Sequence, residues 1–115
     1  MKPLLLAIET GGTKIQLVLG TSAGDICYRY RTLVDREKGM QGILDKVLEA
    51  FPLLEQEAAK LGGKIECAGI GFGGPVDSKS GTAIWSAQID GWGNFPVADY
   101  FKEKTGISAY LFNDS

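Results

Sequence analysis

The sequence predicts a single α/β domain with the element order β-β-β-α-β-α-β around a mixed sheet. Three observations predict it. Three strand-like runs come first, joined by turns too short to hold a crossover helix, so they form an antiparallel meander. Two later segments repeat apolar residues at threes and fours, the helical period. Each of those segments is followed by another apolar, strand-like run, as in a β-α-β unit. The 115 residues are one domain's worth.

The first strand is read over Leu4 to Ile8, a continuous apolar run of the kind expected for a strand covered on both faces. Glu9-Thr10-Gly11-Gly12-Thr13 makes a tight turn. From Lys14 onward, Ile15, Leu17 and Leu19 alternate with Gln16 and Val18 as a second strand. Gly20 to Asp25 turns the chain again. Ile26, Tyr28 and Tyr30 then alternate with Cys27, Arg29 and Arg31, a third strand with one wetter face. Met40, Ile43, Leu44, Val47, Leu48 and Phe51 form a helical stripe that resumes at Leu54, Ala58 and Leu61. Pro52 interrupts it, and an interior proline costs on the order of 3 kcal/mol, so a kink or a second helix opening at Pro52 is expected. Gly62-Gly63 stops the helix. Ile65 to Phe72 is the fourth strand and ends in Gly73-Gly74-Pro75. Ser78 to Asn94 reads as loop, with one short hairpin around Thr82 to Trp85. Pro96 suits the first turn of a helix over Val97, Ala98, Phe101 and Lys102, which Gly106 ends. Ile107 to Phe112 is the last strand, with Asn113-Asp114-Ser115 beyond its carboxyl end. No closing helix follows it, although helices normally cover both faces of an α/β sheet.

Composition excludes several kinds of chemistry. A content of 44% hydrophobic and 23% charged residues is that of a globular domain rather than a disordered tail. Twelve basic against fourteen acidic residues, a net charge of -2, argue against a dedicated nucleic-acid or anionic-membrane binder. With no histidine there is no Ser-His-Asp triad, Cys-His dyad or His-ligated metal. Cys27 and Cys67 form no CxxC pair and read as buried thiols in a reducing cytosol. The apolar N-terminal run is cut by Glu9, too short for an export signal or a membrane span.

Three segments can carry chemistry. Gly11-Gly12 lets backbone N–H groups point at one spot, a nest suited to phosphate oxygens. Thr13 adds a hydroxyl, Lys14 a cation and Glu9 an oxygen ligand for Mg2+. A plain Gly-Gly hairpin is the alternative. Gly69, Gly71 and Gly74 match GxGxxG, but Pro75 and a polar stretch follow where a dinucleotide fingerprint needs a helix. That strand end instead exposes backbone to a small polar ligand, or is a tight loop with packing glycines. Asp114, at the carboxyl end of a strand, is placed to accept a hydroxyl proton in phosphoryl transfer; the alternative is a strand-terminating Asn-Asp turn.

The order and spacing of these segments resemble the N-terminal lobe of the ROK family, bacterial sugar kinases and related repressors. The resemblance runs over essentially the whole chain. It implies a ribonuclease H-like lobe of the actin/hexokinase/Hsp70 ATPase type, with ATP and Mg2+ as cofactors and a sugar as substrate. Ile8-Glu9-Thr10-Gly11-Gly12-Thr13-Lys14 resembles the family's Asp-x-Gly-Gly-Thr-Lys, which handles ATP phosphates and Mg2+; Glu at the acidic position is similar to fructokinase-like members. Gly73-Gly74-Pro75-Val76-Asp77 resembles the sugar-contacting loop. Gln88-Ile89-Asp90-Gly91-Trp92 resembles Asn-Leu-x-Gly-Trp, with Gln88 in place of the sugar-binding Asn, a longer side chain that bears on sugar preference. Asn113-Asp114 resembles the pair whose Asn contacts sugar and whose Asp is the catalytic base. The resemblance further implies a second lobe that supplies the adenosine site, and hence no activity from 115 residues alone. The other expectation is a sugar-sensing lobe of a repressor or a partner-binding remnant. The setting is cytoplasmic, without nucleic-acid or membrane partners, and an uncovered inter-lobe face allows a homodimer.

Overall fold

Five strands form one mixed sheet in the computed structural model, which describes residues 2–10, 14–34, 36–72, 76–77, 79, 81–83 and 95–113. The strands are β1 (Lys2–Thr10), β2 (Lys14–Gly20), β3 (Ile26–Leu33), β4 (Gly63–Phe72) and, after a short hairpin β5 (Val76–Asp77) and β6 (Thr82–Ala83), β7 (Ser108–Asn113). Their order across the sheet is β3-β2-β1-β4-β7. β1, β2 and β3 are the expected antiparallel meander, while β4 and β7 run parallel to β1. Two helices make the crossovers, α1 (Gly39–Lys60), entered through a 3-10 turn at Arg36–Lys38, and α2 (Val97–Thr105).

Alternate strand residues pack against the helices. Leu4, Leu6 and Ile8 of β1 and Ile15, Leu17 and Leu19 of β2 are each at most 1% exposed and join the α1 stripe in one apolar cluster. Fully burying such a side chain is worth roughly 1.5–3 kcal/mol. Phe51 of α1 meets Phe101 of α2 edge-to-face, with ring centroids 5.7 Å apart, and ties the helices together on this face. Gly106, with φ 78°, ends α2 in the left-handed conformation that favours glycine.

Three sequence expectations change. α1 runs through Pro52 as one helix, so no second helix opens there. Pro52 is exposed while Phe51, Leu54 and Ala58 are buried. The lost backbone hydrogen bond therefore lies on the solvated side, and the apolar stripe opposite outweighs it. The hairpin expected around Thr82 to Trp85 instead pairs Val76–Asp77 with Thr82–Ala83, so its first arm comes from the Gly-Pro-Val-Asp segment. β1 is covered on one face only. Leu5 is 38% exposed and Ala7 is exposed, and among the described residues both helices lie on the opposite face. Among the described residues no helix is long and apolar enough to cross a membrane.

Candidate functional site at the strand tips

The three segments singled out in the sequence leave the sheet at one edge. Glu9 of β1 stands opposite Gly71 of β4, and Gly71 stands opposite Phe112 of β7. One residue further, Phe72 pairs with Asn113. The tips of three adjacent parallel strands are thus level, with the outer two roughly 10 Å apart. Gly11 to Thr13 follow the first tip, Gly73 to Pro75 the second and Asp114 the third. Ligands in open α/β sheets collect at this carboxyl edge.

The side chain that locks the first two tips is one the sequence reading passed over. Thr10 Oγ1 donates a hydrogen bond to the Gly71 carbonyl at 3.0 Å, one residue past the last ladder pair of β1 and β4. The two residues are 61 apart in sequence, so only the parallel register reveals the contact. A second missed pair lies beside Glu9. Gln16 of β2 is directly opposite it, and its Oε1 accepts a hydrogen bond from Arg31 Nε of β3.

Glu9 and Lys14 are both exposed, on the helix-free face by strand alternation, and at the same end of β1 and β2. The chain joining these strands, Gly11-Gly12-Thr13, lies outside the described residues, as do Gly73, Gly74, Pro75, Gln88 and Asp114. Asn113 is placed by its backbone at the end of β7.

The segment after β4 is held by α2. Asp77 Oδ1 accepts from the Lys79 N–H at 3.1 Å and the Asp77 carbonyl from the Gly81 N–H at 2.9 Å, closing the β5–β6 turn. The Gly81 carbonyl then accepts from the Ala98 N–H, 3.1 Å, in the first turn of α2. Gly81 has φ +69°, and a Cβ there would lie 2.4 Å from Ala98 Cβ, so only glycine allows this approach.

Among the described residues no three His, Cys, Asp or Glu side chains converge to hold a metal ion. Glu9 is the described carboxylate at the tips. A cavity of about 20 Å3 beneath β1, lined by Ile8, Val47, Ile70 and Tyr100 among others, is too small and too apolar for a sugar.

A mixed sheet in the order β3-β2-β1-β4-β7 with two crossover helices is the ribonuclease H-like lobe of actin-like and hexokinase-like proteins. The chain belongs to the ROK family, whose model matches residues 5–115. It is 27% identical over 111 residues to the glucokinase of Halalkalibacterium halodurans, covering 96% of this chain and 33% of that enzyme. It superposes with a TM-score of 0.80 and 28% identity on a ROK glucokinase from Streptomyces griseus in complex with glucose and AMPPNP, over 96% of this chain and 33% of that one. A ROK transcriptional regulator homologous to the E. coli MLC protein shares the fold, with a TM-score of 0.83 at 16% identity over 99% of this chain and 28% of that one. The chain thus spans about a third of the length of these relatives.

Proposed function

We propose that residues 1–115 form the N-terminal lobe of an ATP-dependent hexose kinase and hold the phosphates and the attacking hydroxyl. The observation that carries this reading is the level alignment of the β1, β4 and β7 tips. The segments assigned here to phosphate, sugar and proton transfer include residues that follow these three tips in the sequence. The glucokinase similarity and the bound glucose and AMPPNP of the Streptomyces griseus enzyme support it.

In this reading the backbone N–H groups of Gly11 and Gly12, the Thr13 hydroxyl and Lys14 hold the ATP phosphates. Glu9 holds Mg2+, directly or through water; when bound, the ion offsets charge on the phosphate oxygens. Gly73, Gly74, Pro75, Gln88 and Asn113 bind the sugar. Asp114 accepts the proton of the attacking hydroxyl as its oxygen bonds to the γ-phosphorus and the bond to the ADP oxygen breaks. Products are a sugar phosphate and ADP. Position matters more than basicity for such a base, which suits a carboxylate that follows a strand end in the sequence. The adenosine side of the cleft and its closure come from a second lobe, so the 115 residues alone should not turn over. Cys27 and Cys67 are free thiols and half-buried rather than buried as expected; unpaired thiols are in keeping with the cytoplasmic setting of this reading.

The test measures two things on the chain. Calorimetry with Mg2+-tripolyphosphate and with glucose, fructose and mannose should show polyphosphate binding that Glu9→Gln and Lys14→Ala each weaken about tenfold. One hexose should bind in a way that Gln88→Ala weakens. Absence of polyphosphate binding with hexose binding retained would instead assign a sugar-sensing lobe. In a lobe-complemented enzyme, Asp114→Asn should cut kcat by orders of magnitude with little change in sugar affinity. Equal turnover would sink the assignment of the base.

A further inference from the structure

Gln16 stands between two charged side chains in one row of the sheet. The ladder sets it directly opposite Glu9 of β1 on one side and Arg31 of β3 on the other. Ile15, Leu17 and Leu19 are buried against the helices, so Gln16 shares the other face of β2 with Lys14, two residues nearer the tip. Lys14, Arg31 and Glu9 are exposed, and Gln16 is half-buried.

The Gln16 amide has a fixed sense. Its Oε1 accepts a hydrogen bond from Arg31 Nε. Arginine carries donors only, so an inverted amide would set N–H groups against N–H groups. The two Nε2–H donors therefore point away from Arg31. Among the described residues they bond to nothing, Glu9 included, and they reach solvent. Gln16 is thus held on one side and uncommitted on the other. A hydrogen bond accepted by the amide oxygen polarises the amide and strengthens its N–H donors, the more so when the bond comes from a cation. Arg31 thereby carries positive charge through Gln16 toward the group those donors meet. That group must be an acceptor. Two cations, Lys14 and Arg31, flank the position against one carboxylate, which favours an anionic acceptor. Lys14 and Gln16 are roughly 7 Å apart along the strand, so two side chains of their length can meet the same phosphate chain.

We propose that Gln16 is a further phosphate-binding residue at this edge, donating its Nε2–H groups to oxygens of the chain that Lys14 meets, and that Arg31 is its positioning residue. This rests on reading Gly11 to Lys14 as the phosphate site. It does not depend on what covers the rest of the helix-free face.

The test is calorimetry and side-chain amide NMR on the full 115-residue chain with Mg2+-tripolyphosphate, each variant checked for native circular dichroism. Added tripolyphosphate should shift the Gln16 side-chain amide proton signals of the wild type. Gln16→Leu should weaken binding about tenfold, the worth of one hydrogen bond to a charged group. Arg31→Met should weaken it about threefold, and Arg31→Lys, which keeps a cationic donor for Oε1, should stay within about twofold of wild type. At high salt, where a bare charge is screened, Arg31→Met should still weaken binding in the presence of Gln16 and add nothing to Gln16→Leu. Amide signals that the ligand leaves unmoved overturn the proposal. So does a Gln16→Leu variant that binds like the wild type, or full additivity of the two substitutions. Lys14→Ala separates this failure from that of the site itself. If Lys14→Ala weakens binding and Gln16→Leu does not, the phosphate site stands and the role of Gln16 falls. If the wild type binds no tripolyphosphate, or Lys14→Ala binds as well as it, both readings fall.

Discussion

The two faces of the β-sheet are built from the same strands and differ in almost every physical respect. On the helix side, every second residue of β1 and β2 is buried, and the helices close over it without a single buried polar side chain among the described residues. On the other side, Leu5, Ala7, Arg29, Arg31, Tyr110 and Phe112 are exposed, Val18 and Gly69 are half-buried, and Gly71 is buried. The covered face supplies the free energy that holds the sheet. The open face and the strand tips are then free to carry chemistry, because little stability depends on them. Neighbouring residues on one strand can thus have unrelated roles, and Leu5 and Leu6 are the sharpest case.

Replacing each of these two leucines by alanine gives the largest expected difference. Leu6 is 1% exposed, and Leu6→Ala should cost about 2–5 kcal/mol in chemical denaturation. Leu5 is 38% exposed, and Leu5→Ala should cost about 1 kcal/mol or less at protein concentrations where the chain is monomeric. Equal costs would mean that both faces are covered in the single chain.

Much of this contrast was legible beforehand, and the failures are instructive. The meander, both helix stops and the strand order of chemistry-bearing segments follow from period and glycine placement, as at Ile15-Leu17-Leu19 and Gly106. The one-sided cover of β1 was not legible, since Leu4 to Ile8 is apolar throughout and names no preferred face. The passage of α1 through Pro52 was hidden because its outcome depends on which side of the helix the proline faces. The β5–β6 hairpin has two residues per arm, too few for alternation to register. At the site, the residues flanking Glu9 and Asn113 could be named from the sequence. The alignment of their strand tips could not, because register is a property of the sheet and not of any one strand.

Gly81 probes the link between the covered layer and the segment that follows β4. It carries φ +69° and leaves no room for a Cβ beside Ala98. Gly81→Ala should cost about 2–6 kcal/mol, the sum of a left-handed backbone and an overlap with α2. The loss should appear as detachment of the hairpin from α2, seen by faster amide exchange at Ala98, whose N–H is bonded to the Gly81 carbonyl at 3.1 Å. Unchanged exchange at Ala98 would show that the hairpin is held by something other than this approach.

A small effect on stability is expected at Thr10, where the contrast between the layers meets the site. Its hydroxyl bonds the Gly71 carbonyl at 3.0 Å, partly buried, and nothing else described joins the tips of β1 and β4 beyond their ladder. Thr10→Val keeps the shape and removes the donor, so stability should fall by about 0.5–1.5 kcal/mol, the net worth of one such bond. Thr10→Ser should restore most of it. The functional consequence should be out of proportion. Glu9 precedes Thr10, and Gly71-Phe72 lead into Gly73, so a tip free to splay moves apart the segments proposed to bind phosphate and sugar. A displacement near 1 Å is enough to degrade catalysis or binding that depends on position. Thr10→Val should therefore weaken Mg2+-tripolyphosphate binding several-fold while Thr10→Ser leaves it intact. If both variants bind like the wild type, the bond is structural only, and the tips are held level by the ladder alone.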